Sequence, residues 1–380
     1  MGTYAYDAAF LSKHGISYKE LVSADGQSKV MVVPAWQGRV MTSSASGDDG
    51  ESYGWINYRF IQSGEVSPQI QPVGGEERFW LGPEGGPFSL YFRPGAEQVY
   101  ANWAVPAVLD TEPFDIQEES AHAIRLARPA HLENASGTVL DLNMERIVAL
   151  LDRHALGREL GISLPEEVKW VAYRTDNHIV NIGAEAWTRE TGLVSVWMLG
   201  CFNPTPSTIV FIPYGRQGKG RIVNDTYFGK IPSDRLVVED GLIYFRIDGK
   251  FRSKLGLPAG RALNLCGSYD SSNKVLTILR CNRPETPCVY VNGQWGAQDN
   301  PFDGDVINAY NDGPLEDGSI MGPFYEIETS SPGAELSPGG RLTHTQIVAH
   351  LQGSDEALAP IVQQVFGADL DRLKSRFEGI

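Results

Sequence analysis

Residues 235–247, RLVVEDGLIYFRI, decide the fold class. Two β-branched and aromatic runs flank Asp240-Gly241, and an Asp-Gly pair supplies the left-handed backbone that a two-residue hairpin turn requires. The segment therefore reads as two short antiparallel strands. The same grammar continues in both directions. Downstream lie KVLTILRC (274–281) and PCVYVNG (287–293); upstream lie WVAYRTDNHIVNIG (170–183), GLVSVWMLGCF (192–202) and STIVFIPY (207–214). Further back, KVMVVPAWQGRVMT (29–42) reads as strands broken at Pro34 and Gly38, and 121–150 gives two more alternating runs. GGEERFWLGPEGGPFSLYF (74–92) reads as a loop followed by a strand. Strands recur without regular helices between them, so the expected class is all-β, an antiparallel sandwich rather than βαβ units.

Helix signals are few. Residues 150–160 look helical and stop at Gly161. The tail from 354 to about 378 opens on a capping serine, Ser354, carries apolar residues at helical spacing and breaks near Gly367. No repeat, low-complexity block or linker divides the chain, and residues 1–380 are expected to form one domain.

Composition narrows the partners. The formal charge is -15, and an acidic chain without a dense Lys/Arg run is a poor partner for nucleic acid or an anionic membrane. No stretch approaches the roughly 20 apolar residues of a membrane helix. The start shows no apolar core behind a basic leader, so the expected location is the cytosol, or the periplasm or exterior with a leader already removed. Cys201, Cys266, Cys281 and Cys288 lack metal-ligand spacing and read as free thiols, although Cys281 and Cys288 are close enough to close a hairpin. Asp303, Asp305, Asn308, Asp312 and Asp317 gather oxygen ligands that calcium favours, but without the spacing of a calcium loop; they read as turn formers. No phosphate loop, HExxH or GxSxG is present. The expectation is no metal and no cofactor.

The chemistry gathers in GPFYEIETSSPGAELSPGGRLTHTQ (322–346). On a strand, alternate side chains share a face, so Glu326 and Glu328 point one way and Tyr325, Ile327 and Thr329 the other. Two carboxylates roughly 6–7 Å apart along a strand raise each other's pKa unless partnered. They are either an acid–base site or the ends of two salt bridges. Rings, amides and acids cluster elsewhere too: Arg78, Trp80 and Glu84; Asn102 and Trp103; Asn177; Trp197; Asn308, Tyr310, Asn311 and Asp312. That mixture suits a sugar, with flat rings covering C–H faces and polar groups taking hydroxyls.

The segment ETSSPGAELSPGGRLTHTQ (328–346) resembles the late strand and turn of galactose mutarotases (aldose 1-epimerases), and YRTDNHIVNIGAEAW (173–187) resembles a strand common to their supersandwich. More closely, GGEERFWLGPEGGPFSLYF, NPTPSTIVFIPY, NDTYFGKIPSDRL, GDVINAYNDGP and MGPFYEIETSSP resemble a bacterial family of uncharacterised mutarotase-like proteins. The resemblance implies a galactose mutarotase-like antiparallel β supersandwich with short C-terminal helices. It implies a sugar or oligosaccharide ligand and Glu328 as general base of an epimerase-type reaction. The partner histidine of that family has no clean counterpart: His178 follows Asn177 with the wrong spacing after it, and His344 lies beyond the turn. Glu326, Asp312 or a histidine is left as the acid. The competing expectation is a carbohydrate-binding or accessory protein that keeps the groove without the chemistry.

Overall fold

The computed structural model describes residues 2–284 and 286–377. Three N-terminal strands, β1 (Lys19–Val22), β2 (Lys29–Val33) and β3 (Arg39–Ser44), form a small sheet. There follow β4 (Arg78–Gly82), β5 (Asp115–Glu119), β6 (Ala123–Glu133), β7 (Val139–Leu150), β8 (Lys169–Asn181), β9 (Ser195–Phe202) and β10 (Thr208–Pro213). The second half holds β11 (Leu236–Glu239), β12 (Leu242–Arg246), β13 (Ser253–Pro258), β14 (Leu265–Asp270), β15 (Val275–Cys281), β16 (Asp305–Asn311), β17 (Tyr325–Ser330) and β18 (Arg341–Gln352).

Ten of these make one long antiparallel sheet in the order β11-β12-β10-β14-β15-β18-β8-β7-β6-β5. Five make a second sheet, β13-β16-β17-β9-β4. The Asp240-Gly241 turn has φ of 50° and 86°, the left-handed pair its sequence implies. The sheets pack face to face. Phe79, Met198, Leu255, Ile307, Ala309 and Ile327 of the five-stranded sheet share one buried apolar cluster with Leu142, Met144, Tyr173, Ile179 and Val348 of the long sheet. The outer face of the long sheet is covered by the helical tail. A helix at Asp355–Phe366, capped by Ser354, lays Leu358, Ile361, Val362 and Phe366 over Phe211, Tyr244, Tyr269 and Ile278. Residue 378, the end of the expected tail, lies outside the described residues.

Some expectations change. A helix at Tyr4–Lys13 precedes the first strand, its weak apolar periodicity having concealed it. In 74–92 the strand is Arg78–Gly82 and the glycine-rich remainder is irregular, the reverse of the expected order. PCVYVNG makes only an isolated bridge, Tyr290 to Asp303. All four cysteines are free. No helix among the described residues is long and apolar enough to cross a membrane.

The inter-sheet core is not wholly apolar. Arg146 on β7, fully buried, donates through Nη2 to Glu77 Oε1 at 2.7 Å and through Nη1 to Asn177 Oδ1 at 2.7 Å. Gln346 Nε2 donates to Glu77 Oε2 at 2.8 Å, and Thr329 Oγ1 donates to Gln346 Oε1 at 2.6 Å. Glu76 Oε1 accepts from Ser43 at 2.8 Å and lies 2.8 Å from His350 Nε2. Removing one partner of a buried ion pair leaves a charge without compensation and typically costs about 3–5 kcal/mol. Glu77→Gln should therefore lower unfolding stability by that order in urea titrations; a loss below about 1 kcal/mol would show that the fold does not rely on the pair.

Candidate functional site

One face of the five-stranded sheet packs on the long sheet; the other carries Glu326 and Glu328. Strand register sets two cross-strand rows on this second face. One row is Lys254–Tyr310–Glu326–Cys201, the other Gly256–Asn308–Glu328–Leu199–Arg78. Trp197 and Trp80 are paired in the next row. Each acid is bonded to a cation of the other row. Arg78 Nη2 donates to Glu326 Oε1 at 3.2 Å, and Lys254 Nζ donates to Glu328 Oε2 at 2.9 Å. The alternation of β17 thus separates two environments, because on the opposite face Tyr325 OH is 2.7 Å from Ser268 and Thr329 enters the buried polar layer.

Glu328 is the most enclosed group of the face, its side chain only 1% exposed. Its Oε2 also accepts from Trp197 Nε1 at 2.8 Å. Its Oε1 is buried with no protein partner. The Lys254 ammonium lies over the rings of Trp197 and Tyr227, at 5.1 and 5.6 Å from their centroids. Burial opposes its charge, but Glu328 and Glu84 outweigh burial and raise its pKa. For Glu326 the balance is reversed: burial lifts the carboxyl to about 7, and Arg78 only partly opposes it. Burial also raises Glu84, which stands near Lys254 and Glu328 on the loop after β4.

Aromatic rings wall this patch. Trp80 lies 5.6 Å from Trp197 and 6.5 Å from Trp103, and Arg78 stacks 3.9 Å over the Trp80 ring. Trp103 stacks in turn on Tyr91, Tyr100 and Trp295, of which Tyr100 and Trp295 reach the surface. At the β13–β16 end, Tyr227 OH donates to Asp305 Oδ2 at 2.6 Å, and Asn308 Nδ2 donates to Leu255 O at 3.1 Å. Gly256 is required there, because a Cβ would come within 2.0 Å of Asp305 Oδ2.

The structure therefore brings together Glu326, Glu328, Arg78, Trp80, Trp103, Trp197, Asn308 and Tyr310. Others stand apart. His178 lies on the face of β8 opposite Asn177, with Nδ1 at 2.8 Å from Thr343 Oγ1. His344 is buried between the sheets at 2.8 Å from Thr329 Oγ1; burial lowers it to about 4, and the five-stranded sheet separates it from Glu328. Neither histidine is placed to serve Glu328. Asn177 belongs to the Arg146 layer. Asn311 caps backbone at Gly249 and Phe251, and Asn102 donates to Glu97 O. Asp312 accepts from Tyr310 OH at 2.9 Å and from the Gly322 amide, at the edge of the patch. Among the described residues no three His, Cys, Asp or Glu are grouped to hold a metal ion. Sequence reasoning misses Lys254, Tyr227 and Asp305 for this face. The sequence signal for Lys254 is its parity on SKLGLP, a lysine opening an otherwise apolar strand.

A family profile described as a family of unknown function (DUF6786) matches residues 2–377. The chain belongs to this family. A search of the curated proteins finds no match. Among solved structures, the Slr1438 protein of Synechocystis sp. PCC 6803 is similar, with a TM-score of 0.55, 11% identity and coverage of 89% of this chain and 96% of that one. A galactose mutarotase-like protein from Lactobacillus casei ATCC 334 superposes with a TM-score of 0.52 at 11% identity, over 88% of this chain and 100% of its own. At such identities the likeness shows the fold, a galactose mutarotase-like β supersandwich.

Two measurements test the geometry. Glu328→Gln strands the Lys254 ammonium and should cost about 3–5 kcal/mol, whereas Glu328→Gln combined with Lys254→Met should lose less than the sum of the single changes. Additive losses in a urea double-mutant cycle would deny the pairing. Glu326 is raised from 4.5 to about 7 on folding, so its protonated form is the one the fold favours. Its contribution to stability is complete below about 4.5, declines as pH rises and is gone above about 7. Glu326→Gln should flatten this component of the stability–pH curve; an unchanged slope would place the Glu326 pKa elsewhere.

Proposed function

We propose that this protein binds a carbohydrate against the polar face of the five-stranded sheet and moves protons at its anomeric centre, with Glu328 as general base. One observation carries the reading. Glu328 Oε2 is fixed by Lys254 and Trp197, while Oε1 is buried and unpartnered. A buried acceptor without a donor is costly, and a ligand hydroxyl would satisfy it. Trp80, Trp103 and Trp197 are nearly buried behind the patch, Tyr100 and Trp295 at the end of their stack offer exposed rings of the kind sugars stack on, and Arg78, Asn308 and Tyr310 supply polar groups. The galactose mutarotase-like fold is consistent with a sugar site, but a fold does not by itself assign a reaction.

A second reading is binding without turnover. What favours it is that both carboxylates already have cationic partners, while His178 and His344 stand away from them. Exchange between α and β anomers, followed by NMR on a panel of aldoses, separates the two. The expected result is acceleration by the wild type and a fall of about 10²–10⁴ in Glu328→Gln, the usual value of a positioned proton-transfer group. Saturation transfer to a sugar without acceleration would select binding alone. Neither effect, together with unchanged tryptophan fluorescence, would remove the carbohydrate reading.

A further inference from the structure

A base alone does not open a sugar ring. When the anomeric hydroxyl loses its proton, the ring oxygen leaves the same carbon and must receive one. The two oxygens are bonded to one atom, so the groups that serve them must stand close together. This constraint separates the candidate donors. His178 and His344 face other surfaces. Glu326 is two residues along the strand, roughly 6–7 Å away by strand geometry, and is held by Arg78 at 3.2 Å. Lys254 Nζ is 2.9 Å from Glu328 Oε2.

We propose that Lys254 is the proton donor that works with Glu328, an assignment that rests on the reading above. An ammonium has three N–H groups. Among the described residues Lys254 has one protein hydrogen bond, to Glu328, so two donors remain for a ligand. The Trp197 and Tyr227 rings flank the ammonium, leaving its side chain 14% exposed. It is thus a charged group held beside the unpartnered Glu328 Oε1 with donors to spare.

The step balances within the pair and the sugar. Glu328 Oε1 takes the proton of the anomeric hydroxyl, and the O–H electrons form the C1=O1 bond. The C1–O5 bond breaks with its electrons on O5, which takes a proton from Lys254 Nζ. The products are an open-chain aldehyde, a neutral carboxylic acid and a neutral amine. Rotation about C1–C2 and the reverse transfers close the other anomer and restore both groups. The coupling is electrostatic. In the resting pair Glu328 and Glu84 hold the proton on Lys254. Once Glu328 has accepted the substrate proton its charge is gone, and an ammonium with less opposing charge beside it releases a proton more readily.

The test uses the full chain, with anomer exchange of freshly dissolved α-D-glucose, α-D-galactose and α-D-xylose followed by NMR. Lys254→Arg keeps the positive charge opposite Glu328, but a guanidinium does not give up its proton. Lys254→Gln keeps a hydrogen-bond donor without the charge, and melting curves confirm that each variant is folded. The expected result is a fall in kcat of about 10²–10⁴ in both, with KM changed far less and the basic limb of the pH profile lost. A purely structural ion pair would be restored by arginine. If Lys254→Arg keeps wild-type kcat, or if Glu326→Gln alone abolishes turnover, Lys254 is not the donor although the reading of the site stands. If the wild type accelerates none of these sugars, the reading itself fails and this assignment with it.

Discussion

The site depends on the buried pair between Arg146 and Glu77 more than on any contact within the site itself. Arg146 projects from the long sheet, and Glu77 immediately precedes Arg78 on the edge strand of the five-stranded sheet. Glu77 also accepts from Gln346, which accepts from Thr329, and Thr329 immediately follows Glu328 on the opposite face of β17. A single charge in the core therefore fixes the two strands that present Arg78 and Glu328. Hydrophobic burial between sheets is non-directional and permits sliding. A buried ion pair with every lobe bonded does not permit it, because a shift of register would leave a charge without partners. The neighbouring acid, Glu76, ties the small N-terminal sheet and β18 to the same layer through Ser43 and His350.

The crossed pairing on the outer face follows from that registration. Lys254 shares a row with Glu326 but bonds Glu328; Arg78 shares a row with Glu328 but bonds Glu326. The two cations enter from opposite edges of the sheet, over the two carboxylates at its centre. The environments of the acids then diverge. Glu328 has an ammonium and an indole N–H on one oxygen, while burial around Glu326 outweighs its guanidinium. Burial thus favours the neutral form of Glu326, whereas Glu328 is held by two donors on one oxygen and has the other free.

The alternation of a strand was legible, and with it the shared face of Glu326 and Glu328, the Asp240-Gly241 hairpin and the capped tail. So was the all-β class, because period-two patterning survives in every strand that has one polar face. What could not be read is the identity of partners across strands far apart in sequence. Lys254 is seventy-four positions from Glu328, and nothing local marks it. The histidines show the same limit: an Asn-His pair on a strand is ambiguous by one residue in face, and one residue decides whether His178 meets solvent or core. The GGEE segment read as a shaped loop although it holds the two acids of the inter-sheet layer. Buried charge carries no periodic signature, since its position is set by what it meets on the other sheet.

That asymmetry bears on how chemistry is distributed over this fold. The residues that touch the patch lie on five strands and the loops between them, so any one can change without disturbing the strand pattern that specifies the sandwich. The inter-sheet layer has no such freedom, because each member satisfies another and loss of one exposes an uncompensated group. The lysine beside Glu328 comes from the opposite edge of the sheet, on β13, where Gly256 clears the space that Asp305 and Asn308 occupy. A glycine and a long cation on the same strand, Gly256 and Lys254, together shape that side of the patch, so the surroundings of Glu328 are set as much by edge strand β13 as by β17 itself.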